Sequence, residues 1–213
     1  MLVGERMSSP PIVIPPDMSV SEALTLFKKE RIRRAPIVKN DKLVGIVSEK
    51  DLFNASPSPA TTLSVWEMSY LLSKLTVAEV MTKNVITVTK DTPIEEAARI
   101  MADNKIGGLP VVEGSRVVGI ITETNLFKMF LELMGAREKG IRVTALIKDQ
   151  PGMLAKITQV IAASGGNFIA FGQFVGEDVH TRVITFKVKG ITQADVKKIL
   201  EPYVGKIFDI REI

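Results

Sequence analysis

The 213-residue sequence contains no cysteine and only one histidine, His180. The lack of cysteine excludes disulfide bonds, iron–sulfur clusters, thiolate-bound metals and catalysis by a thiol. His180 follows a predicted hairpin turn, where an exposed polar residue is expected rather than a general base. The sequence therefore predicts no metal site and no catalytic histidine.

Long apolar runs and catalytic motifs are also missing. Lys128 and Glu132 interrupt the most apolar stretch, far short of the ~20 residues that a membrane-spanning helix needs. The first residues, MLVGERM, are too short an apolar run for a secretory signal. No G-x-S-x-G, H-E-x-x-H or P-loop sequence occurs. We expect a cytoplasmic protein that has no membrane segment and is not an enzyme.

Apolar residues make up 46% of the chain and charged residues 24%, a balance typical of globular proteins. The length allows two compact domains. The net charge is only +4, and basic residues are dense in one segment alone, residues 28–34. A small basic segment favours a local role over the broad basic face of a duplex-DNA binder.

The sequence repeats itself at a distance of 74 residues. Residues 7–53 align with residues 81–127 without a gap, and 14 of the 47 aligned positions are identical. The identical positions are mainly apolar or turn-forming residues, such as the pair Gly45 and Gly119. A shared core requires such conservation between the copies, so the pattern indicates an internal duplication.

Each copy predicts the element order β-α-β-β-α. A short apolar strand leads to a helix that begins near Ser19 or Pro93, with apolar positions spaced by three and four residues. Two β-rich runs joined at a polar turn then predict a hairpin. A second helix is predicted to begin at Glu49 or Glu123.

The segment between the copies has a pattern of its own. Residues 54–62, NASPSPATT, predict a loop. Ser64 and Glu67 form a capping box at the start of an inserted amphipathic helix, and Thr76 and Glu79 form a second capping pair just before the second copy.

Two signatures occupy the same place in the two copies: PIV...GIVSEKD at residues 36–51 and PVV...GIITETN at residues 110–125. With these signatures, the chain up to about residue 134 resembles the tandem CBS-domain pair known as a Bateman module. The resemblance implies that the copies pair about a pseudo-twofold axis and leave two clefts for adenine nucleotides or S-adenosylmethionine. It also implies that the clefts include Val13, Ile14, Thr87 and Ile106.

Ser48 and Asp51 suit the ribose and phosphate of such a ligand. Asp51 follows Ser48 by one turn near a helix start, which places a carboxylate to accept from both ribose hydroxyls and a serine hydroxyl to donate to phosphate. Thr122 and Asn125 repeat the arrangement, with an uncharged amide that holds the diol less firmly. An ordinary helix cap is the alternative for both pairs.

The basic segment KKERIRR aligns with ADNKIGG, so Arg33 and Arg34 correspond to Gly107 and Gly108. The shared fold therefore does not require the two arginines. In the nucleotide-sensing subunits of AMP-activated protein kinase, which carry related repeats, basic residues at this place contact phosphate. That resemblance implies the same role for Arg33 and Arg34, whose planar forks bond two oxygens at once. A surface ion pair or a dimer contact is the alternative.

A new pattern begins at Ile141, after the polar segment GAREKG. Its predicted element order is β-α-β-β-α-β, a ferredoxin-like unit. Its first helix is predicted to have Pro151 near the first turn and to stop at a pair of glycines. Leu154, Ile157 and Ile161 are its predicted core positions.

The sequence KDQPGMLAKI followed by GGNFI makes this region resemble an ACT domain. ACT domains commonly bind amino acids where two copies meet, and some only mediate assembly. The resemblance implicates the loop after the first strand, the start of the first helix and one residue opposite them, namely Asp149, Gln150, Pro151, Gly152, Met153 and Asn167. A plain strand-to-helix turn is the alternative.

The predicted fold class is α+β, with a tandem CBS-domain pair of β-α-β-β-α repeats followed by a ferredoxin-like ACT domain. The predicted boundaries are residues 1–60 for the first repeat, 61–80 for the inserted helix and linker, 81–134 for the second repeat, 135–140 for a hinge and 141–213 for the ACT domain.

The order of the two matches resembles the acetoin-utilisation (AcuB-like) regulatory proteins. We therefore expect a non-catalytic ligand sensor that binds AMP, ADP, ATP or S-adenosylmethionine, uses no metal and acts on an unidentified protein. A nucleic-acid-binding regulator that uses residues 28–34, or a purely structural oligomerisation module, is the alternative. Apolar residues surround the helix of residues 126–134, which predicts a homodimer, docking against the neighbouring domain, or core packing.

Overall fold

The computed structural model describes residues 1–55 and 64–213. The chain divides into two compact units, Met1–Leu126 and Phe127–Ile213, and each has its own hydrophobic core. None of the helices in the described ranges is long and apolar enough to cross a membrane. Beyond Ala55, the loop predicted for residues 54–62 lies outside the described residues.

The first unit contains both copies of the repeat. The first copy consists of α1 (Val3–Arg6), α2 (Val20–Glu30), β1 (Arg34–Lys39), β2 (Lys42–Ser48) and α3 (Glu49–Asn54). After α4 (Val65–Lys74), the second copy consists of α5 (Val77–Val80), α6 (Ile94–Asn104), β3 (Gly108–Glu113), β4 (Arg116–Thr122) and α7 (Glu123–Leu133). Every element of the second copy begins 74 residues after its counterpart, which confirms the duplication.

The predicted first strand of each copy is reduced to an isolated parallel bridge, at Ile14 in the first copy and at Val88 in the second. Two prolines directly follow Ile14, and proline has no N–H with which to extend a ladder. After Val88 the chain turns at once, because the N–H of Thr89 donates to a threonine hydroxyl three residues later, at 3.1 Å.

Each copy forms the predicted hairpin, β1 with β2 and β3 with β4, and both hairpins are antiparallel. Asn40 and Asp41 make the two-residue turn of the first hairpin, with positive φ angles of 51° and 60°. Asn and Asp tolerate this left-handed conformation better than most residues, and such turns match the twist of a hairpin.

The segments that begin the two copies are exchanged between them. Met7, directly after α1, packs against Gly119 of the second copy, and Met81, directly after α5, packs against Gly45 of the first. A Cβ atom at either glycine would collide with the methionine side chain, so these close approaches require glycine. Val77 of α5 is likewise buried in the core of the first copy. Each copy is therefore completed in space by a segment of the other.

Polar caps start the helices α4 and α5 as predicted. The hydroxyl of Ser64 donates to Oε2 of Glu67 at 2.7 Å, and the Ser64 N–H donates to the same oxygen at 2.8 Å. Thr76 and Glu79 make the corresponding pair of bonds, both of 2.8 Å, at the start of α5. These bonds satisfy backbone donors that the first turn of a helix leaves unpaired.

The second unit consists of β5 (Ile141–Lys148), α8 (Met153–Ala163), β6 (Asn167–Val175), β7 (Thr181–Lys189), α9 (Gln193–Leu200) and β8 (Lys206–Glu212). Its strands form one antiparallel sheet in the order β6-β7-β5-β8. This arrangement is the predicted ferredoxin-like unit. Alternate residues of β5 enter the core, as the two-residue period of a strand requires: Ile141, Val143, Ala145 and Ile147.

The start of α8 differs from the prediction. The helix begins at Met153, after Gly152 in the left-handed conformation with φ 81°, so Pro151 is near the first turn as predicted but lies two residues before the helix. Met153 is consequently buried, whereas Leu154, a predicted core residue, is 37% exposed. The left-handed turn at Gly152 sets which helix face meets the sheet.

The segment of residues 135–140, predicted to be a hinge, is bonded to the sheet of the second unit. Lys187 of β7 is only 3% exposed, and its ammonium group donates to the carbonyl oxygens of Gly135 and Glu138, both at 2.8 Å. Gly140 exchanges two backbone hydrogen bonds with Ile213. The boundaries of the predicted domains stay a prediction.

Candidate ligand sites

A cavity of about 460 Å³ opens where the two copies meet. The first copy contributes the start of β1, the end of β2 and the first turn of α3. The second copy contributes the segment that follows α5 and the loop before β3. Five of the predicted cleft residues line this cavity: Arg33, Arg34, Ser48, Asp51 and Ile106.

Asp51 caps α3 and keeps one oxygen free. Its Oδ2 accepts from the N–H of Ser48 at 2.8 Å and from the Ser48 hydroxyl at 2.6 Å, and its own N–H donates back to that hydroxyl oxygen at 3.2 Å. Oδ1 of Asp51 accepts no hydrogen bond from the described residues. The helix cap is therefore present, and it leaves one carboxylate oxygen for a ligand.

Asn125, the counterpart of Asp51, has no free acceptor oxygen. Its Oδ1 accepts from the N–H and the hydroxyl of Thr122, at 3.0 and 2.6 Å, while its Nδ2 donates to the carbonyl oxygen of Arg6 at 3.0 Å. Neither Asn125 nor Thr122 lines the cavity. A carboxylate at this position would have no proton to donate to that carbonyl, so the amide fits the exchanged N-terminal segment.

Arg33 and Arg34 both reach the second copy. Nη2 of Arg33 donates to the hydroxyl of Thr124 at 3.1 Å. Burial lowers the pKa of Arg34, and the nearby carboxylate of Glu123 opposes this effect. Arginine stays charged in proteins even so. The guanidinium group of Arg34 is therefore a partly desolvated cation at the wall of the cavity, where an anion interacts strongly with it.

Gly107 and Gly108 are shaped to receive Arg34. A Cβ atom on Gly107 would collide with the Arg34 guanidinium group and the Glu123 carboxylate, and one on Gly108 would lie 2.9 Å from Cδ of Arg34. The glycines of one copy therefore make room for an arginine of the other, a dependence that the alignment of the two copies does not reveal.

The remaining predicted cleft residues lie outside the cavity. Ile14 is buried in the core of the first copy, Val13 is exposed, and Thr87 is half-buried. The second copy instead contributes the residues just before Thr87, together with Lys105, and α3 contributes Lys50. No local motif marks these residues, because the exchange of segments between the copies decides which strand end faces which helix.

The loop predicted to bind an ACT ligand borders a second cavity, of about 510 Å³. Asp149, Gln150, Pro151, Gly152 and Met153 all line this cavity, together with Gln173 and Arg182. Nη2 of Arg182 pairs with Oδ2 of Asp149 at 2.8 Å, and Nε of Arg182 is buried without a hydrogen-bond partner among the described residues.

Asn167 does not join this group. It pairs with Lys189 at one end of the sheet, whereas Lys148, next to the loop, pairs with Thr181 at the other end. The antiparallel pairing separates Asn167 from the loop of its own chain by the length of β7, so a role for Asn167 opposite the loop, at a site where two copies meet, stays a prediction.

The single histidine, His180, is exposed, and its backbone N–H donates to Oδ1 of Asp178 at 2.8 Å. Within residues 1–55 and 64–213, no group of three or more His, Asp or Glu side chains is arranged to hold a metal ion.

The duplicated unit, with its exchanged first segments and a ligand-sized cavity between the copies, defines a paired-repeat binding module. The CBS domain family model matches residues 3–58 and 77–132, together more than half of the chain. The chain belongs to the CBS-domain family.

Solved structures of CBS domain pairs are similar to this chain. The pair of protein MJ0100, in complex with 5′-methylthioadenosine and S-adenosyl-L-methionine, is 34% identical with a TM-score of 0.52 and covers 65% of this chain and 98% of its own. CBSX2 in complex with AMP is 31% identical with a TM-score of 0.52, and the match covers 62% of this chain and 97% of the CBSX2 chain. A Vibrio cholerae protein assigned to acetoin utilization (AcuB) is 32% identical with a TM-score of 0.53, and the match covers 64% of this chain and 95% of the Vibrio cholerae chain.

The match covers very different shares of two curated relatives. L-aspartate semialdehyde sulfurtransferase of Methanocaldococcus jannaschii is 35% identical over 131 residues, which are 61% of this chain and 23% of that enzyme. A CBS domain-containing protein of Dictyostelium discoideum is 30% identical over 136 residues, which are 63% of this chain and 94% of that protein. The chain therefore spans about a quarter of the enzyme.

Proposed function

We propose that this chain is a non-catalytic regulatory protein whose CBS pair binds an adenosyl compound, of the class AMP, ADP, ATP or S-adenosylmethionine, in the cavity lined by Asp51. The observation that carries the proposal is the free Oδ1 of Asp51, held by a helix cap at the wall of a cavity of about 460 Å³. Similar CBS pairs with AMP, or with 5′-methylthioadenosine and S-adenosyl-L-methionine, support this ligand class.

The residues of the cavity divide among the parts of such a ligand. Oδ1 of Asp51 accepts from the ribose hydroxyls. Ile46, Ile86 and Ile106 offer apolar surface to the adenine ring. Arg34 and Arg33 lie at the same cavity for a negatively charged substituent at the 5′ position, for which a planar guanidinium fork is well suited.

Only the cleft of the first copy is proposed to take a ligand in this way. Oδ1 of Asn125 already accepts two hydrogen bonds from Thr122, so the amide has no free acceptor for the hydroxyl hydrogens of a ribose diol. The alternative that residues 28–34 bind nucleic acid is less favoured, because two of the five basic side chains line a cavity instead of a continuous exposed face.

Asp51→Asn tests the proposal with little change to the fold. An amide oxygen still accepts from Ser48, as the Asn125 amide does from Thr122, but the acceptor for the diol becomes a donor. We expect AMP binding, measured by isothermal titration calorimetry, to weaken by about tenfold or more because a hydrogen bond to a charged group is lost. Asn125→Ala is the matched control and should bind AMP as the wild type does. Equal affinity of the wild type and Asp51→Asn would refute the assignment.

A second ligand site is proposed in the ferredoxin-like unit, where an amino acid would bind as in an ACT domain. The buried and unpartnered Nε of Arg182, beside the start of α8, supports recognition of a carboxylate. A thermal-shift screen of the amino acids on the wild type and on Arg182→Ala tests this role. No stabilisation by any amino acid would favour the alternative, a role in assembly alone.

Assembly and location belong to the same proposal. No residue of α7 is buried in the chain, and Phe127, Phe130 and Leu133 are at least half exposed. This apolar surface supports a homodimer, for which sedimentation at micromolar concentration is the test. A cytoplasmic location, a role in acetoin utilisation and an unidentified regulated protein remain predictions from the sequence.

A further inference from the structure

The cavity of the first cleft carries an excess of positive charge. Arg33, Arg34, Lys50 and Lys105 line it, against two carboxylates, those of Glu49 and Asp51, which leaves a net charge of +2. None of the four cations forms a salt bridge with an acidic group of the described residues. The nearby carboxylate of Glu123 offsets part of the charge of Arg34, so Arg33, Lys50 and Lys105 are the cations most available to a ligand.

The fold itself does not account for this charge. In the second copy, the positions of Arg33, Arg34 and Lys50 hold Gly107, Gly108 and Thr124. Three of the four cations in the first cleft therefore have no basic counterpart in the second copy.

Lys50 is placed against the preference of its helix. It is the second residue of α3, directly after Glu49, and the N-terminal turn of a helix favours negative side chains and disfavours positive ones. Lys50 is exposed and bonded to none of the described acidic groups. A cation that costs its own helix stability, yet lies at a ligand cavity, is expected to act on the ligand.

Lys105 has a matched counterpart in Arg31. Both residues end a helix in the left-handed conformation, with φ angles of 54° and 53°. A basic residue there also favours the helix C-terminus, which explains why both are basic. Only Lys105 borders the cavity lined by Asp51, so a comparison of the two positions separates the helix effect from the ligand effect.

We infer that this cavity selects a phosphate-bearing adenosyl ligand over a neutral or cationic one, and that Lys50 and Lys105 are specificity-determining residues for the phosphate. The inference rests on the proposed binding of an adenosyl compound in the same cavity. A phosphate monoester carries about −1.5 to −2 charge at neutral pH, which balances the +2 of the lining residues. S-adenosylmethionine carries a sulfonium group in place of the phosphate, and its sulfonium and ammonium groups outnumber its single carboxylate, so the four cations disfavour it overall.

Three ligands with the same adenosine part test the inference: AMP, 5′-methylthioadenosine and S-adenosylmethionine, titrated into the full chain by calorimetry. We expect affinity to fall in that order, with AMP at least about tenfold above the neutral compound. Raising the ionic strength from ~0.05 M to ~0.5 M should weaken AMP binding and leave 5′-methylthioadenosine binding unchanged.

Substitutions then locate the effect. Lys50→Thr and Lys105→Gln should each weaken AMP binding by about threefold, and the double variant by about tenfold, with no change for 5′-methylthioadenosine. Lys28→Thr and Arg31→Gln remove the same net charge away from the cavity and should leave AMP binding unchanged. Because Lys50→Thr installs the residue of the second copy, its urea denaturation midpoint should not fall.

The outcomes are distinguishable. If the wild type binds 5′-methylthioadenosine or S-adenosylmethionine as tightly as AMP, the inference fails while the proposed adenosyl site stands. If the control variants weaken AMP binding as much as the cavity variants do, the effect is one of net charge and the roles of Lys50 and Lys105 are wrong. If none of the three ligands binds, the proposed function fails first.

Discussion

Arg34 and Gly107 belong to different copies of the repeat, yet their shapes depend on each other. The arginine side chain runs over the glycine, and its guanidinium group fills the space that a Cβ atom would occupy. Two arginine pairs related by the duplication would compete for this space. At the level of residues, the asymmetry of the two clefts is therefore a steric requirement as well as a matter of charge.

Gly107→Ala tests this contact. The added methyl group forces the ends of two flexible side chains, Arg34 and Glu123, to move, so the loss in the free energy of unfolding should lie at or below the low end of the ~1–3 kcal/mol typical of overpacking a core. Urea denaturation measures the loss. In an Arg34→Ala background the cost of Gly107→Ala should be clearly smaller, because the guanidinium group is gone. Equal costs in both backgrounds would contradict the proposed packing.

Individual site residues were predictable where a motif fixes them along one element. Ser48 and Asp51 are three residues apart at a helix start, and their hydrogen bonds follow from that spacing. The free oxygen of Asp51 and the occupied amide of Asn125 were not predictable, since the carbonyl of Arg6 comes from the exchanged segment, 119 residues away in sequence.

At the scale of elements, the two equivalent helices α2 and α6 begin differently. Ser19 and Glu22 cap α2 reciprocally: the Glu22 N–H donates to Oγ of Ser19 at 3.2 Å, and the Ser19 hydroxyl donates to Oε2 of Glu22 at 2.7 Å. Helix α6 begins after Pro93, which offers no side-chain cap. Its first turn depends on the fixed φ angle of proline instead.

The cap of α2 makes a contribution that depends on pH. Hydrogen bonds from the hydroxyl and then the N–H of Ser19 lower the pKa of Glu22 from its ordinary value of 4.5. A carboxyl group with a lowered pKa in the folded state stabilises the fold above its ordinary pKa, and the contribution is lost as the pH falls through the lowered value.

Glu22→Gln should therefore be less stable than the wild type at neutral pH, and the difference should shrink as the pH falls below 4.5. Urea denaturation at a series of pH values measures this difference. In a Ser19→Ala background the pH-dependent effect of the same substitution should be smaller but not absent, because the backbone N–H of residue 19 still donates to Glu22. A difference that stays constant down to strongly acidic pH would rule out the linkage.

Element order and type followed from the periodicity of apolar residues and from the caps. The first strand predicted for each copy does not form, because the prolines after Ile14 and the turn at Thr89 stop the ladder after one bridge. The face of α8 was predicted correctly at Ile157 and Ile161, which are buried, and wrongly only at its first position, where Met153 instead of Leu154 is buried.

At the scale of the whole molecule, the duplication made the fold of the first unit predictable, and the β-α-β-β-α-β order did so for the second. The exchange of the segments after α1 and α5 was not predictable, because every contact that it makes joins residues distant in sequence. That exchange builds the cavity, since it brings the residues after Met81 to the end of β2.

The most direct test of this account is the number of AMP molecules that one chain binds. Isothermal titration calorimetry of the wild-type chain should give a stoichiometry of one, because Asp51 has a free acceptor oxygen for the ribose diol and Asn125 has none. Two equivalent sites per chain, or no binding at all, would contradict it.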